Sequence, residues 1–200
     1  MSKDLLMIFT RNPELGKVKT RLAKTIGDQP ALNIYKFLLD HTASITKNLS
    51  YDKTVYYSKK INENDIWSNH IYQKKEQRGT HLGERMENAF IENLNKYNKV
   101  IIIGSDLHEL NENHIHEAFD QLDNYDVVIG PAKDGGYYLL GLKTINKEIF
   151  KNKEWGSATV LRNTLQNLKN VSVFLLDELN DIDIYDDIKN NEVFKPFLEQ

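Results

Sequence analysis

Cysteine is absent from the 200-residue sequence. This absence excludes disulfide bridges, thiolate nucleophiles, zinc–thiolate sites and iron–sulfur clusters. Any metal chemistry must therefore use oxygen or imidazole ligands.

Long apolar runs are also missing. The N-terminal segment has a five-residue run, Leu5–Phe9, which is shorter than a signal-peptide core and much shorter than a membrane span. We interpret this run as a strand and expect a cytoplasmic protein without a membrane span.

The sequence has no excess of positive charge, since 26 Lys and Arg face 29 Asp and Glu, for a net charge of −3. A nucleic-acid partner is not expected, because proteins that neutralise many phosphates are usually strongly basic. Apolar residues make up 40% of the chain and charged residues 28%. With no internal repeat and no linker-like segment, this balance predicts one globular domain over residues 1–200.

Short apolar runs alternate with segments of helical periodicity. Predicted strands are Leu5–Phe9, Thr54–Tyr57, Val100–Gly104, Val127–Gly130, Tyr137–Leu142 and Val171–Leu176. Predicted helices are Ala31–Lys47, Leu82–Leu94, Asn113–Leu122 and Ala158–Leu168, and Lys59–Lys75 is expected to be a loop or irregular crossover. The alternation predicts an α/β fold, a three-layer αβα sandwich around a mostly parallel mixed sheet. Ligands in such folds bind at the carboxyl ends of the strands.

A basic loop follows the first predicted strand and contains Arg11, Gly16, Lys17, Lys19 and Arg21. A glycine-containing loop that turns into a helix suits phosphate, because backbone N–H groups and cationic side chains converge there. The spacing matches neither a Walker A loop nor a GxGxxG fingerprint. The alternative is a solvated basic helix face, and the position directly after a buried strand favours phosphate.

Asp106 follows Val100–Gly104, the most apolar run in the chain, which is therefore expected in the middle of the sheet. A carboxylate there can take one ligand position on Mg²⁺ or Mn²⁺ and leave the others to phosphates and water. A turn or cap aspartate is an equally good interpretation of this residue taken by itself.

Asp134, Gly135 and Gly136 lie between two predicted strands. Adjacent glycines let a ligand approach the main chain closely, although an Asp-Gly pair is also a common hairpin turn. The nearby rings of Tyr137 and Tyr138 could flank a base or a sugar. Asp134 is our candidate for the base that deprotonates an acceptor.

Near the C-terminus, residues 177–187 contain six acidic residues and no basic one. Asp181 and Asp183 have the alternating spacing of an extended segment and are predicted to share one face of a metal site. Asp186 and Asp187 are expected in the first turn of a final helix, where carboxylates favour the helix dipole or simply face water.

Several motifs occur together in one order. They are Phe9–Pro13 with Gly16–Leu22, Leu82–Met86, Ile103–Asp106, Gly130–Ala132 with Asp134–Leu142, Trp155–Ser157 and Asp181–Asp183. On these motifs the chain resembles, over nearly its whole length, the DUF2064-type glycosyltransferases of nucleotide-diphospho-sugar transferase fold. That family is related to the guanylyltransferases for phospholactate and molybdenum cofactor.

The resemblance implies the glycosyltransferase-A type of fold and an activated nucleotide bound by the loop from Arg11 to Arg21. It implies a divalent cation, Mg²⁺ or Mn²⁺, held by Asp106 and Asp183. By analogy, Gly135 and Gly136 would line the base pocket or the pocket of the second substrate.

Two positions depart from the family pattern. His81 stands where the family usually has an aspartate, and His108 where it usually has a proline two positions after the metal aspartate. His114 and His116 are not expected to be ligands together, since residues two apart on a helix do not share a face.

Three functions remain open at the sequence level. The first is glycosyl transfer from a nucleotide sugar to a small-molecule acceptor. The second is nucleotidyl transfer, in which an acceptor phosphate attacks a nucleoside triphosphate. The third, suggested by the two histidines, is a non-catalytic nucleotide-binding module.

Overall fold

The computed structural model describes residues 4–198. These residues form seven strands and six α-helices, joined by loops and three short 3₁₀ turns. In chain order the elements are β1 (Asp4–Thr10), α1 (Thr20–Ile26), α2 (Asp28–Thr46), β2 (Asp52–Tyr57), β3 (Gln73–Glu76), α3 (Leu82–Leu94), β4 (Lys99–Gly104), α4 (Glu112–Asn124), β5 (Val127–Pro131), β6 (Tyr137–Leu142), α5 (Val160–Asn167), β7 (Val173–Leu175) and α6 (Lys195–Leu198).

The seven strands lie in the order β3-β2-β1-β4-β6-β5-β7. Strand β6 runs antiparallel to β4 and β5, and every other pairing is parallel. The prediction of a mostly parallel mixed sheet is confirmed. Strand β4 occupies the central position, as its apolar sequence predicts, because strands covered on both faces read as continuous apolar runs.

Helices cover both faces of the sheet. On β1, Leu6 and Ile8 pack into a cluster with α2 and α4. The alternate residues of β1, Leu5 and Met7, pack into a second cluster with α3, while side chains of α5 pack against its edge. Because successive side chains of a strand point to opposite faces, this division confirms the three-layer sandwich.

Strand β3 corrects the expectation for Lys59–Lys75, because it begins at Gln73 inside that segment. Its four residues are Gln, Lys, Lys and Glu, so apolar patterning gives no sign of it. The strand lies at the edge of the sheet, where charged side chains discourage pairing with another chain. It is held by parallel pairing with β2.

Several element boundaries also differ from the sequence expectation. Helix α2 begins at Asp28 rather than Ala31, since Pro30 is tolerated in a first helical turn. Helix α5 and strand β7 are both shorter at each end than predicted, covering Val160–Asn167 and Val173–Leu175. Among residues 4–198, no helix combines the length and hydrophobicity that crossing a membrane requires.

The turn between β5 and β6 is fixed to the start of α5 through Gly135. Its carbonyl oxygen accepts the N–H of Leu161 at 2.9 Å, and its N–H donates to Ala132 at 3.0 Å. Gly135 has a φ of +87°, which L side chains rarely adopt. The Asp134-Gly135 turn therefore also makes a packing contact with the start of α5.

We expect Gly135→Ala to destabilise the protein more than Gly156→Ala. Both glycines have a φ of +87°, so alanine at either position costs about 1–3 kcal/mol of backbone strain. A Cβ on Gly135 would also lie 2.4 Å from the Ala158 carbonyl oxygen, whereas at Gly156 no described atom lies within 4 Å. Equilibrium urea denaturation measures the difference, and equal losses for the two variants would contradict a role for this contact.

Candidate active site

A cavity of about 570 Å³ opens at the carboxyl ends of β1 and β4. Its walls come from the loop after β1, the segments after β2 and β3, the start of α3, and the acidic C-terminal stretch. We call it the first cavity. Five predicted site residues line it, and they are Arg11, Lys19, Arg21, Asp106 and Asp183.

Lys19 is the central cation of the first cavity. Its side chain is only 4% exposed, and its Nζ lies 2.6 Å from Asp106 Oδ2 and 3.9 Å from Asp183 Oδ1. Lys19 is also the N-cap of α1, with φ 46° and ψ 42° in the left-handed region. A non-glycine residue in that region is strained, and such strain often accompanies functional geometry.

Arg21 brings the first loop and the acidic C-terminal stretch together, because its guanidinium donates to Asp183 Oδ2. The backbone around Asp183 is fixed in turn by Asp187, whose carboxylate accepts the N–H groups of Asp183 and Ile184 at 2.8 and 2.7 Å. Asp187 lies in the 3₁₀ turn Tyr185–Asp187. It therefore orients Asp183 rather than only facing water.

A buried hydrogen-bond network fixes the start of the basic loop. The Tyr35 hydroxyl accepts the N–H of Arg11 at 3.0 Å and lies 3.1 Å from the Arg11 carbonyl oxygen, to which it donates. The Ser105 hydroxyl donates to Thr10 Oγ1 at 3.0 Å. These bonds hold the end of β1 to α2 and to the end of β4, so the cations and Asp106 keep their relative positions.

The charge of Asp106 is set by two opposing effects. Burial by itself would raise its pKa, but the ammonium of Lys19 and the hydrogen bond that it donates, together with the guanidinium of Arg11, lower the pKa below the ordinary carboxyl value. The Asp106 side chain is 43% exposed into the cavity. Asp106 therefore stays ionised at neutral pH.

Two of the predicted phosphate ligands do not line the first cavity. Gly16 has a φ of +68°, and its Cα faces the Asp28 carboxylate. Lys17 is exposed, and its N–H donates to Glu14 at 3.0 Å in a turn. Both residues shape the loop that presents Lys19.

Polar residues of the first cavity that were not predicted as site residues include Ser58, Gln77 and Arg85. Gln77 donates from Nε2 to the carbonyl oxygens of Tyr56 and Thr10 at 2.9 and 3.3 Å. Arg85 donates from Nε to the Gly79 carbonyl at 3.0 Å. Gln77 was missed because it directly follows β3, a strand that the apolar pattern of the sequence did not predict.

A smaller cavity of about 220 Å³ adjoins the first, with Leu82, Gly104 and Asp106 in both walls. We call it the second cavity. Asp134 and Gly136 line it, whereas Gly135 does not. Asp134 Oδ1 accepts the N–H of Gly136 at 2.7 Å. The glycine pair therefore lies beside the second cavity and not beside the cluster of cations.

Asp181 and Asp183 do not share a face as expected. Asp183 lines the first cavity and Asp181 the second, on either side of Asp106. Burial, the charge of Asp134 and the charge of Asp106 raise the pKa of Asp181.

The donor set can accommodate a hard divalent cation only with help from a ligand. Among residues 4–198, no group of three or more His, Cys, Asp or Glu side chains is arranged to hold a metal ion. Asp106 and Asp183 nevertheless both reach the position of Lys19 Nζ. Two carboxylates fit the usual Mg²⁺ arrangement, in which substrate phosphates and water supply the remaining oxygens.

The two unusual histidines make local structural contacts, and His81 also lines the first cavity. His81 is the N-cap of α3, and its Nδ1 accepts the Glu84 N–H at 3.3 Å. An aspartate at an N-cap accepts the same bond. His108 stacks on Phe37 with ring centroids 5.8 Å apart and lies 5.1 Å from the His41 ring.

Comparisons with known proteins identify the family and the fold. Residues 41–157 match the family model described as uncharacterized protein conserved in bacteria (DUF2064). A crystal structure of a candidate nucleotide-diphospho-sugar transferase from Desulfovibrio desulfuricans G20 superposes with a TM-score of 0.88 at 28% identity, covering 100% of this chain and 95% of that one.

A 2-phospho-L-lactate guanylyltransferase from Methanocaldococcus vulcanius is 26% identical over 149 residues, 71% of this chain. The match spans 63% of that relative, which is less than two thirds of its length. A cytidylyltransferase from Leptospira borgpetersenii shares the fold, with a TM-score of 0.63 at 11% identity over 94% of this chain and 84% of the other.

We expect Lys19→Met to raise the pKa of Asp106, because it removes the cation that favours the carboxylate. The lowered folded-state pKa of Asp106 stabilises the wild type above the ordinary carboxyl pKa of about 3.9, and this stabilisation is lost as the pH falls through the folded value. The variant should therefore lose less stability on acidification.

Carboxyl ¹³C NMR of Asp106 and urea denaturation between neutral and acid pH measure the two effects. Lys17→Met is the matched control, since Lys17 is exposed and does not line the cavity. An unchanged Asp106 pKa in Lys19→Met would show that the ion pair does not set its charge.

Proposed function

This chain belongs to the DUF2064 family of uncharacterized proteins conserved in bacteria, and we propose that it is a metal-dependent transferase that uses an activated nucleotide. The reaction that we favour is glycosyl transfer from a nucleotide-diphospho-sugar to a small-molecule acceptor. The similarity to the Desulfovibrio protein, at a TM-score of 0.88, supports this class of donor.

The observation that carries the proposal is the contact of Lys19 and Arg21 with Asp106 and Asp183 in the first cavity. Cations that bind phosphate oxygens and carboxylates that bind a divalent cation lie side by side. A diphosphate and its metal ion need this combination, because the cations of the protein offset the charge of the diphosphate and its carboxylates offset the charge of the metal ion. A phosphate site alone would not require the two carboxylates.

Phosphate oxygens and the two carboxylates compete for the same cations. A diphosphate entering the first cavity offers Lys19 and Arg21 new partners, which leaves Asp106 and Asp183 able to share a divalent cation. Mg²⁺ or Mn²⁺ at these carboxylates would offset the charge of the departing diphosphate. Arg11 also belongs to the cationic wall of this cavity.

Asp134 is the candidate base for the acceptor. It lies in the wall of the second cavity, which shares Asp106 with the first cavity. In the proposed step, Asp134 takes the proton of an acceptor hydroxyl. The hydroxyl oxygen forms a bond to the anomeric carbon of the sugar, and the bond from that carbon to the diphosphate oxygen breaks. The nucleoside diphosphate leaves with its negative charge facing Lys19 and Arg21.

Nucleotidyl transfer is the second candidate, and the guanylyltransferase relative from Methanocaldococcus favours it. In that reaction an acceptor phosphate attacks the α-phosphate of a nucleoside triphosphate and pyrophosphate leaves. The same cations and carboxylates would serve. The third candidate, a non-catalytic module, ranks last, because the cationic loop and both candidate metal aspartates are present in the first cavity.

We expect Asp106→Asn to lower turnover by about a hundredfold or more, since charge stabilisation at the leaving group usually contributes that much. A thermal-shift screen of nucleotides and nucleotide sugars with Mg²⁺ or Mn²⁺ first identifies the donor. Product analysis then separates the two reactions, as nucleoside diphosphate indicates glycosyl transfer and pyrophosphate indicates nucleotidyl transfer. Asp120→Asn, an exposed change on α4, is the control. Full activity of Asp106→Asn would contradict the site assignment.

A further expectation concerns the metal itself. Lys19→Met should strengthen Mn²⁺ binding by about tenfold when nucleotide is absent, because the Lys19 ammonium no longer competes with Mn²⁺ for the carboxylates. The same change should weaken nucleotide binding by about tenfold, because the phosphate loses a charged hydrogen bond from Lys19. Isothermal titration calorimetry measures both affinities, with Lys17→Met as the control. Weaker Mn²⁺ binding in Lys19→Met would show that the Lys19 ammonium does not occupy the position of the divalent metal ion.

A further inference from the structure

The second cavity differs in chemistry from the first, although the two share the wall at Asp106. Its charged wall residues are Asp106, Asp134 and Asp181, and within residues 4–198 no lysine, arginine or histidine lines it. The first cavity, by contrast, presents lysine and arginine side chains. An anionic ligand would therefore be attracted to the first cavity and repelled from the second.

The position of Asp181 reinforces this polarity. Its side chain is partly buried, and it lies in the same cavity wall as the carboxylate of Asp134. A like charge brought into such surroundings is unfavourable, because a desolvated anion needs a compensating cation or hydrogen-bond donor. A ligand with a neutral or positive group meets no such penalty.

Most of the remaining wall is aromatic or apolar. Tyr137 and Trp155 meet edge to face, with ring centroids 6.4 Å apart and an interplanar angle of 86°. Met86 and Val160 complete this side. The Tyr137 hydroxyl and the Trp155 indole N–H are both buried and have no hydrogen-bond partner among the described residues. Unpaired buried polar groups are rare and call for a partner.

The size of the cavity limits its occupant. A volume of about 220 Å³ lies below the ~300–1,000 Å³ that is typical of small-molecule pockets. The body of the occupant must therefore be small. Aromatic side chains provide flat apolar contact for such a body and attract a cation through their ring faces.

We propose that the second cavity is the acceptor subsite and that it takes a small, partly apolar alcohol without negative charge, with a preference for one that carries an ammonium group. This inference rests on the proposed transfer reaction and narrows it. Acceptors that carry phosphate or carboxylate groups are excluded by Asp134 and Asp181. The acceptor hydroxyl lies near Asp134, at the boundary with the first cavity.

The test uses three phenols of similar size that differ in charge: tyramine is a cation, tyrosol is neutral and 4-hydroxyphenylacetate is an anion. Isothermal titration calorimetry measures their binding to the wild-type protein. We expect tyramine to bind tightest, tyrosol next and 4-hydroxyphenylacetate at least about tenfold more weakly than tyramine, as like charges in an interface are strongly unfavourable. Asp181→Asn should reduce the difference in affinity between tyramine and 4-hydroxyphenylacetate, whereas Asp120→Asn should leave that difference unchanged.

Each outcome decides the proposal. Equal or tighter binding of the anion, an unchanged preference in Asp181→Asn, or no binding of any of the three phenols would overturn it. Nucleotide binding to the first cavity is titrated separately, without phenols. If the protein binds the three phenols in the expected order but binds no nucleotide, only the proposed transferase function is contradicted. If it binds nucleotide but does not bind the phenols in the expected order, only the proposed acceptor class is contradicted.

Discussion

The ion pair between Lys19 and Asp106 is the interaction on which the rest of the site depends. An ammonium that is 4% exposed must have a counter-charge, and Asp106 provides it at 2.6 Å. The left-handed backbone of Lys19 directs its side chain into the cavity rather than to solvent. A single strained residue thus connects the loop after β1 to the end of the central strand, and through Asp183 to the C-terminal stretch.

The architecture was predictable where apolar patterning was strong. Strand β4, with its run of buried aliphatic residues, could be assigned to the centre of the sheet from sequence alone. Strand β3 could not, because Gln73–Glu76 contains no apolar residue and its pairing depends on β2. The antiparallel insertion of β6 between β4 and β5 likewise depends on long-range pairing, which local periodicity does not encode.

The site was predictable where opposite charges follow strand ends. Lys19 and Asp106 come together because the parallel strands β1 and β4 deliver their carboxyl ends to one edge of the sheet. Asp183 joins them through its ion pair with Arg21. Sequence could not distinguish Lys17 from Lys19, since only the left-handed turn decides which of the two is buried. It also could not identify Tyr35, whose role is a hydrogen bond from α2 to the loop backbone. The catalytic and metal roles of these residues remain predictions.

The two cavities together imply a division of charge across Asp106. In the proposed reaction, a donor with a diphosphate would bring negative charge to the side of Lys19 and Arg21, and its departing group would stay there. The other side holds Asp134 and Asp181, so an acceptor phosphate would have to approach through a field of like charge. Nucleotidyl transfer needs that approach, because its nucleophile is itself an anion. Transfer to a neutral hydroxyl does not, since the proton moves to a carboxylate as the new bond forms. The charges of the second cavity therefore support the proposed glycosyl transfer over nucleotidyl transfer, independently of which relatives the chain resembles.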